Sequence, residues 1–471
     1  MSSVSVFLLV IAAIFVIGVV GEYMFGRTGV PDVVWLIIMG LLVGPIGGLV
    51  SREALVRIAP YFGALTLVVV LFEGGSRLNL RELSGAAIRS TVLALSSFAV
   101  TVGIIAVASM GAASVGLLPT GWTWIHGLTL GAILGGSSSV VIMPAMNKAG
   151  LSPRIANLVN LESALTDVLC VVATVACIRV AVSGAANVSD AAATLGRAFG
   201  IGLGAGLIAG LLGLLFLRML KNSVYGYPLT LGGLLVVYVI VDEVKGSAAL
   251  AILAVAVMLG NARSFRQAFG LGEDTQLGEG AQAIHSQLAF IIKSFFFTFI
   301  GAMLAPPWPL LALGGGLGLL LLAARIPAMA LATLGGGFSR GAKGVVAVTL
   351  PRGMAAGVLA MFPFQSGMSH TRDLPVVVFA AVLCSILLFA VGFPLMRGKL
   401  APEDLAAPAA KPQATPGTPE AGAAAELPVP SPGRGALLTE PSAAVDAVLA
   451  EPSLAAPAAG SSGNGEPGAN A

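Results

Sequence analysis

Glu162 and Asp167 stand five residues apart in NLESALTDVLCVV, residues 160–172, with Ser163 and Thr166 between them. On a helix turning about 100° per residue these four fall at roughly 0°, 140°, 100° and 40°, so their oxygens share one face. A second oxygen-rich stretch is GAILGGSSSVVIMP, residues 131–144, where Gly135 and Gly136 are followed by Ser137, Ser138 and Ser139. A third is TLPRGMAAGVLAMFP, residues 349–363, which carries Pro351, Arg352 and Gly353. Glu73 in LFEGGSRLNLREL and Lys293 in an apolar run complete the set of candidates. Carboxylates and hydroxyls on one face are ligands for a hard cation or carriers of a proton. Cys170, Cys177 and Cys384 all lie in apolar runs and give neither a redox nor a zinc pattern.

What must position these groups is a membrane. Of the 471 residues, 57% are hydrophobic and only 10% charged, and the mean hydropathy is +0.96. Soluble domains do not have this composition. Apolar runs long enough to cross a hydrocarbon core, about 17 to 25 residues, recur from residue 4 to residue 396. Cutting at charged and Pro/Gly-rich breaks gives about thirteen spans, an all-α polytopic membrane protein. The first run lacks the basic start and cleavage site of a secretory signal and is expected to be retained. With the N-terminus outside, the inner loops hold Arg27, Arg77, Arg81, Arg89, Lys148, Arg154, Arg218 and Lys221 among others, and the outer side only Arg52, Arg57, Arg179, Arg197, Lys245 and Arg372. That bias predicts an outside N-terminus and a cytoplasmic C-terminus. Residues 1–400 are thus the membrane domain, and 401–471, rich in Ala, Pro and Gly, are expected to be a disordered cytoplasmic tail.

An ionisable group at membrane depth is costly and therefore a functional candidate. Glu162 lies toward one end of its span, where it could simply solvate itself; Asp167 sits near the middle and has no such excuse. The Gly-Gly-Ser-Ser-Ser and Pro-Arg-Gly segments each interrupt a span at its middle, the fifth and the twelfth. Hydroxyls and the arginine can satisfy backbone groups freed by the breaks. Interrupted spans at matching places in two halves point to a transporter site built from inverted repeats. The third and tenth spans, with LVVVLFEGG at 67–75 and FFFTFIGAM at 295–303, also correspond. Three acids (Glu73, Glu162, Asp167) against two bases (Lys293, Arg352) leave a charge of minus one. Such a site takes one monovalent cation or one proton, and competition between them is exchange. If Lys293 keeps its proton, the exchange is one-for-one and electroneutral.

At these residues the chain resembles the monovalent cation/proton antiporter superfamily, most closely the NhaP-type sodium/proton antiporters. ESALTDV stands for that family's ESGLND, and LFEGG, FFFTFIG and PRGMAAGVLA occur in its order, over about residues 4–396. The resemblance implies an NhaA-like antiporter fold, two inverted-topology six-helix repeats with crossed discontinuous helices, working by alternating access, usually as a homodimer in a cell membrane and bacterial inner membrane above all. It implies no cofactor, no enzymatic reaction and no nucleic acid. Asp167 matches the essential ion- or proton-binding carboxylate, with Glu162, Ser163, Thr166, Ser137 and Ser138 at ligand or ligand-supporting positions. Na+, or K+ or Li+, would then sit at Asp167, Glu162, Ser163 and Ser137. Glu73 and Arg352 match a structural ion pair, and Lys293 would modulate the charge. Thr166 replaces an asparagine and Ser137–Ser139 replace a Thr-Asp-Pro, so one carboxylate of the pattern is missing. Potassium-efflux relatives use hydroxyls there too, which makes a K+/H+ antiporter without a regulatory domain the alternative.

Other classes fit less well. An intramembrane protease would need a histidine or a second aspartate at mid-membrane depth, whereas His126, His285 and His370 lie near span ends as ordinary interfacial residues. A passive cation channel usually places its filter on a symmetry axis. GIGLGAGLIAGLLG, residues 200–213, contains a GxGxxG string, but no strand precedes it. Gly202, Gly206 and Gly210 instead offer a close-packing face, within the protomer or at a dimer contact.

Overall fold

The computed structural model describes residues 3–28, 30–76, 87–183, 188–219, 226–269, 279–304 and 308–405. Among them the chain is almost wholly helical: α1 (Ser3–Thr28), α2 (Asp32–Leu41) with a π-helical turn (Leu42–Ile46), α3 (Arg52–Ser76), α4 (Ala87–Ser114), α5 (Trp124–Ile133), α6 (Ser139–Lys148), α7 (Pro153–Val182) and α8 (Val188–Met219). There follow α9 (Gly226–Glu243), α10 (Ala248–Gly260), α11 (Ala262–Phe269), α12 (Glu279–Met303), α13 (Trp308–Thr333), α14 (Arg340–Val348), α15 (Met354–Leu359), α16 (Phe362–Gln365) and α17 (Leu374–Arg397). Eight of the helices among the described residues are long and apolar enough to cross a membrane, and five shorter apolar helices lie between them. This is a polytopic membrane protein. Its surface fits that solvent, for Phe7, Val16, Val19, Ile208, Val236 and Val391 all point outward, each around 60% exposed.

The helices pack in a few close sets: α8 and α3 on α10, α4 and α17 on α13, α2 on α12, and α5 against α4 and α7. α17 is buried along most of its apolar stretch, and α1 along little of it. Small residues make the closest approaches. A Cβ on Gly202 would lie 2.5 Å from the Ser247 carbonyl oxygen, one on Gly206 2.5 Å from that of Ala251, and one on Gly210 2.7 Å from Met258 Sδ. The glycine stripe of α8 is therefore consumed within the protomer, against α10.

Several expectations are adjusted. His126 is buried at the start of α5, where Nδ1 accepts from the Thr123 N–H at 3.1 Å and Nε2 lies 3.1 Å from the Ser369 carbonyl oxygen. There it caps the helix. The stretch expected to be a tail from residue 401 begins with a packed turn, a 3-10 helix at Pro402–Asp404. The rest of that stretch lies outside the described residues, as do residues 77–86 and the side chain of His285.

Candidate functional site: two broken helices around a buried ion pair

The two interrupted spans are broken where the glycines, serines and proline stand. α5 stops at Ile133 and α6 begins at Ser139; α14 stops at Val348 and α15 begins at Met354. The two breaks touch: the Ser138 N–H donates to the Pro351 carbonyl at 2.9 Å. A Cβ on Gly353 would sit 2.2 Å from Ser138 Oγ, so only glycine allows this approach. Backbone groups released by the first break find partners on α7. Ser163 Oγ donates to the Ser137 carbonyl at 2.9 Å, and the Ser137 N–H donates to Thr166 Oγ1 at 3.3 Å. Thr166 Oγ1 in turn donates to the Ser163 carbonyl at 3.0 Å. The hydroxyls thus do what apolar side chains could not, keeping broken backbone satisfied away from water.

Glu162 lies at the centre of a bidentate ion pair. Arg325 of α13 donates Nη1 to Oε1 at 2.7 Å and Nη2 to Oε2 at 3.0 Å, with both side chains essentially inaccessible. Ser137 Oγ donates to Oε2 at 2.9 Å. The guanidinium spends its other donors on the Val346 carbonyl at 3.2 Å, Ser97 Oγ at 3.1 Å and Thr349 Oγ1 at 3.3 Å. This one knot ties α4, α7, α13, α14 and both breaks. Such a pair is costly to bury and still costlier to split.

This arrangement corrects two expectations. The core ion pair is Glu162–Arg325, while Glu73 and Arg352 are not joined among the ion pairs of the described residues. Arg352 is 1% exposed, its N–H donates to Ser385 Oγ at 2.9 Å, and its Nε and Nη1 have no hydrogen-bond partner. Glu73 is buried on α3. Lys293, expected to tune the site, instead places Nζ 2.6 Å from Asp32 Oδ2 and 3.8 Å from Glu22 Oε2, a separate group on α1, α2 and α12. Its charge is balanced there, in direct contact. The sequence reading missed Arg325, although an arginine in the apolar run LLLLAARIPAMA carries the same signal that singled out Asp167. It also missed Asp32. With the separate Lys293 group set aside, Glu73, Glu162 and Asp167 against Arg325 and Arg352 leave minus one.

Asp167 differs from Glu162. It is partly exposed in the middle of α7, beside the buried Thr166. A Cβ on Gly74 of α3 would stand 3.8 Å from its Oδ2, so the bare backbone of α3 leaves room beside the carboxylate. Thr166 and Ser163 bring hydroxyls to this level of α7, and Ser137 and Ser138 bring the broken segment. The structure therefore gathers Glu162, Ser163, Thr166, Ser137, Ser138 and Arg352 around the crossing, with Asp167 at its accessible edge and Lys293 elsewhere.

Two broken helices thus meet at a buried ion pair beside a partly exposed carboxylate. The sodium/hydrogen exchanger transmembrane family model matches residues 9–397, and the chain belongs to that family. It is 26% identical over 399 residues to the K(+)/H(+) antiporter NhaP of Alkalimonas amylolytica, covering 82% of this chain and 65% of that one. It is 22% identical over 366 residues to the Probable Na(+)/H(+) antiporter 2 of Methanocaldococcus jannaschii, covering 74% and 82%. The chain thus spans at most about two thirds of the length of the K(+)/H(+) relatives it matches, 65% for that of Alkalimonas amylolytica. Its fold matches the solved structure of the sodium proton antiporter MjNhaP1 from Methanocaldococcus jannaschii at pH 8, with a TM-score of 0.65, 18% identity, and 83% and 97% of the two chains covered.

Proposed function

We propose that this chain is a secondary antiporter exchanging a monovalent cation for protons by alternating access, with Asp167 as the group both ions compete for. The observation that carries the reading is the contrast on α7: Glu162 has both oxygens committed to Arg325 and Ser137, while Asp167 stays partly exposed at mid-helix. Ser163, Thr166 and Ser137 supply the further oxygens that would complete a cation's shell, and Ser138 holds the second break in place. Glu162, which the family resemblance put among the ligands, acts instead as the anchor of Arg325.

Sodium is the first choice of cation and potassium the second, with lithium also to be tested. The potassium reading is favoured by Ser137–Ser139, which put hydroxyls where a carboxylate would otherwise add field strength. The surplus of one negative charge supports one-for-one, electroneutral exchange, since cation and proton leave the loaded site in the same charge state. The chain would lie in a cell membrane, the bacterial inner membrane, with about thirteen crossings, its N-terminus outside and its C-terminus in the cytoplasm, and would work as a homodimer.

The test is transport in proteoliposomes loaded with a pH-sensitive dye. Addition of NaCl, KCl or LiCl should drive proton efflux, with the salt of the preferred cation half-saturating at the lowest concentration. An imposed potential should leave the rate unchanged, because an unbalanced charge would be driven by about 2.3 kcal/mol per 100 mV. Cation-dependent current without proton movement would overturn the reading in favour of a channel.

A further inference from the structure

The segment after α17 carries information that the transport site does not use. Residues 401–405 turn back against the ends of two helices that hold the site. The Ser152 N–H, at the N-cap of α7, donates to the Asp404 carbonyl at 2.8 Å, and Leu151 and Leu405 form an antiparallel bridge. The Asp404 side chain points the other way, to α14. Its Oδ2 accepts from Ser339 Oγ and from the Ala401 N–H at 3.0 Å, and it is 6% exposed. Ser339 is the N-cap of α14, its Oγ accepting from the Ala342 N–H at 3.0 Å. Just before the turn, the Lys399 carbonyl lies where a Cβ on Gly341 would be, 2.1 Å away, so α14 begins in backbone contact with the end of α17.

A buried carboxylate at the N-terminus of α14 is well placed electrostatically, since that dipole turns its positive end toward it, while the Asp404 carbonyl meets the N-terminus of α7. Its effect reaches the site along rigid elements. Glu162 lies nine residues beyond Pro153 on α7, about 14 Å at 1.5 Å per residue. α14 runs from Ser339 to Thr349, which accepts from Arg325, and on to Pro351, which accepts from Ser138. One small turn therefore holds the starting points of two helices, α7 carrying Glu162 and α14 leading into the second break, that meet at the ion pair and the crossed breaks.

We propose that residues 401–405 are a clasp that sets the spacing of α7 and α14, and that Asp404 is a positioning residue for ion binding at the Asp167 level. The inference rests on the antiport reading for its readout but not for its geometry. A misplacement of about 1 Å at a distant support can weaken a site by two orders of magnitude, and loss of one charge-assisted hydrogen bond corresponds to about tenfold.

Exchange by the full chain in proteoliposomes, titrated with NaCl and KCl, tests this. Asp404→Ala and Ser339→Ala should each raise the half-saturating concentration of the transported cation about tenfold, and the double variant should be no worse than the worse single one. Asp404→Asn, whose amide oxygen can still accept from Ser339, should recover most of the affinity. Half-saturation unchanged in Asp404→Ala would overturn the proposal, as would additive effects, or a lower melting temperature with unchanged half-saturation of the folded fraction. Ser339→Ala keeps the test alive if Asp404→Ala does not fold. If the wild-type chain carries neither ion, the antiport reading fails, and the clasp is then judged by chemical protection of Ser163→Cys in a chain that also carries Cys177→Ala and Cys384→Ala: adding Asp404→Ala should expose the new thiol to a thiol reagent, and unchanged protection would overturn the clasp.

Discussion

Glu162 and Asp167 lie on the same helix about 7.5 Å apart along its axis, yet their surroundings differ sharply. Around Glu162 every strong partner is a fixed part of the protein: a bidentate arginine and a serine hydroxyl. Around Asp167 the helix is partly exposed, and the neighbouring helix α3 presents a glycine. A carboxylate whose counter-charge is built in cannot trade that charge for an ion from solution, because exchange would strand the guanidinium in the core. On the antiport reading proposed above, Glu162 is the carboxylate that holds the broken helices together and Asp167, partly exposed on the same helix, the one that changes partners.

The sharpest way to break this contrast is Asp167→Asn, which keeps the shape and removes the titratable charge. Cation-driven proton flux should vanish while the protein still purifies as a monodisperse species; surviving flux in such vesicles would sink the assignment. At Glu162 the loss should appear in stability first. Arg325→Ala or Glu162→Ala should destabilise the fold by about 3 to 5 kcal/mol, since each leaves a charge buried without its partner. The pair replaced together by apolar residues of similar volume, Glu162→Leu with Arg325→Met, should recover much of that, and a melting-temperature cycle that came out additive would show that the two do not act as a unit.

A smaller effect is expected at Ser137→Ala, which removes one donor to a carboxylate that keeps Arg325. A loss of about 1 to 2 kcal/mol should be seen in thermal melts, with half-saturation by the cation rising if Ser137 also serves as a ligand. The smallest concerns Lys293, which stands with Asp32 and Glu22 rather than at the crossing. Lys293→Gln should leave the rate insensitive to an imposed potential, as in the parent protein. Voltage dependence that appears only in this variant would bring Lys293 back into the transport cycle.

The membrane character, both broken helices and the carboxylates at 162 and 167 were legible in the sequence because each is a local signal. Apolar runs of spanning length, Gly-Gly and Pro-Arg-Gly within them, and polar faces at helical spacing need no knowledge of neighbours. Arg325 was legible by the same rule and was passed over. Its partner was not legible, for Glu162 and Arg325 are 163 residues apart, and a charge count is indifferent to which acid meets which base. The one pairing expected, Glu73 with Arg352, gave way to two others: Arg325 took the carboxylate at 162, and Asp32 took Lys293. The glycine stripe of α8 likewise announced close packing, but only the position of α10 decided that it faces inward.

The sequence by itself determined what the chain must be made of: helices in lipid, two of them interrupted, with a few charges that water cannot reach. Lipid removes the alternatives, since backbone and charge must be satisfied by the protein itself. Tertiary structure alone decided who satisfies whom. Interactions between buried charges depend on distances of a few ångströms in a medium that screens weakly, and those distances are set by packing between helices far apart in the chain. That is why Glu162 became an anchor while Asp167, five residues later, stayed partly exposed.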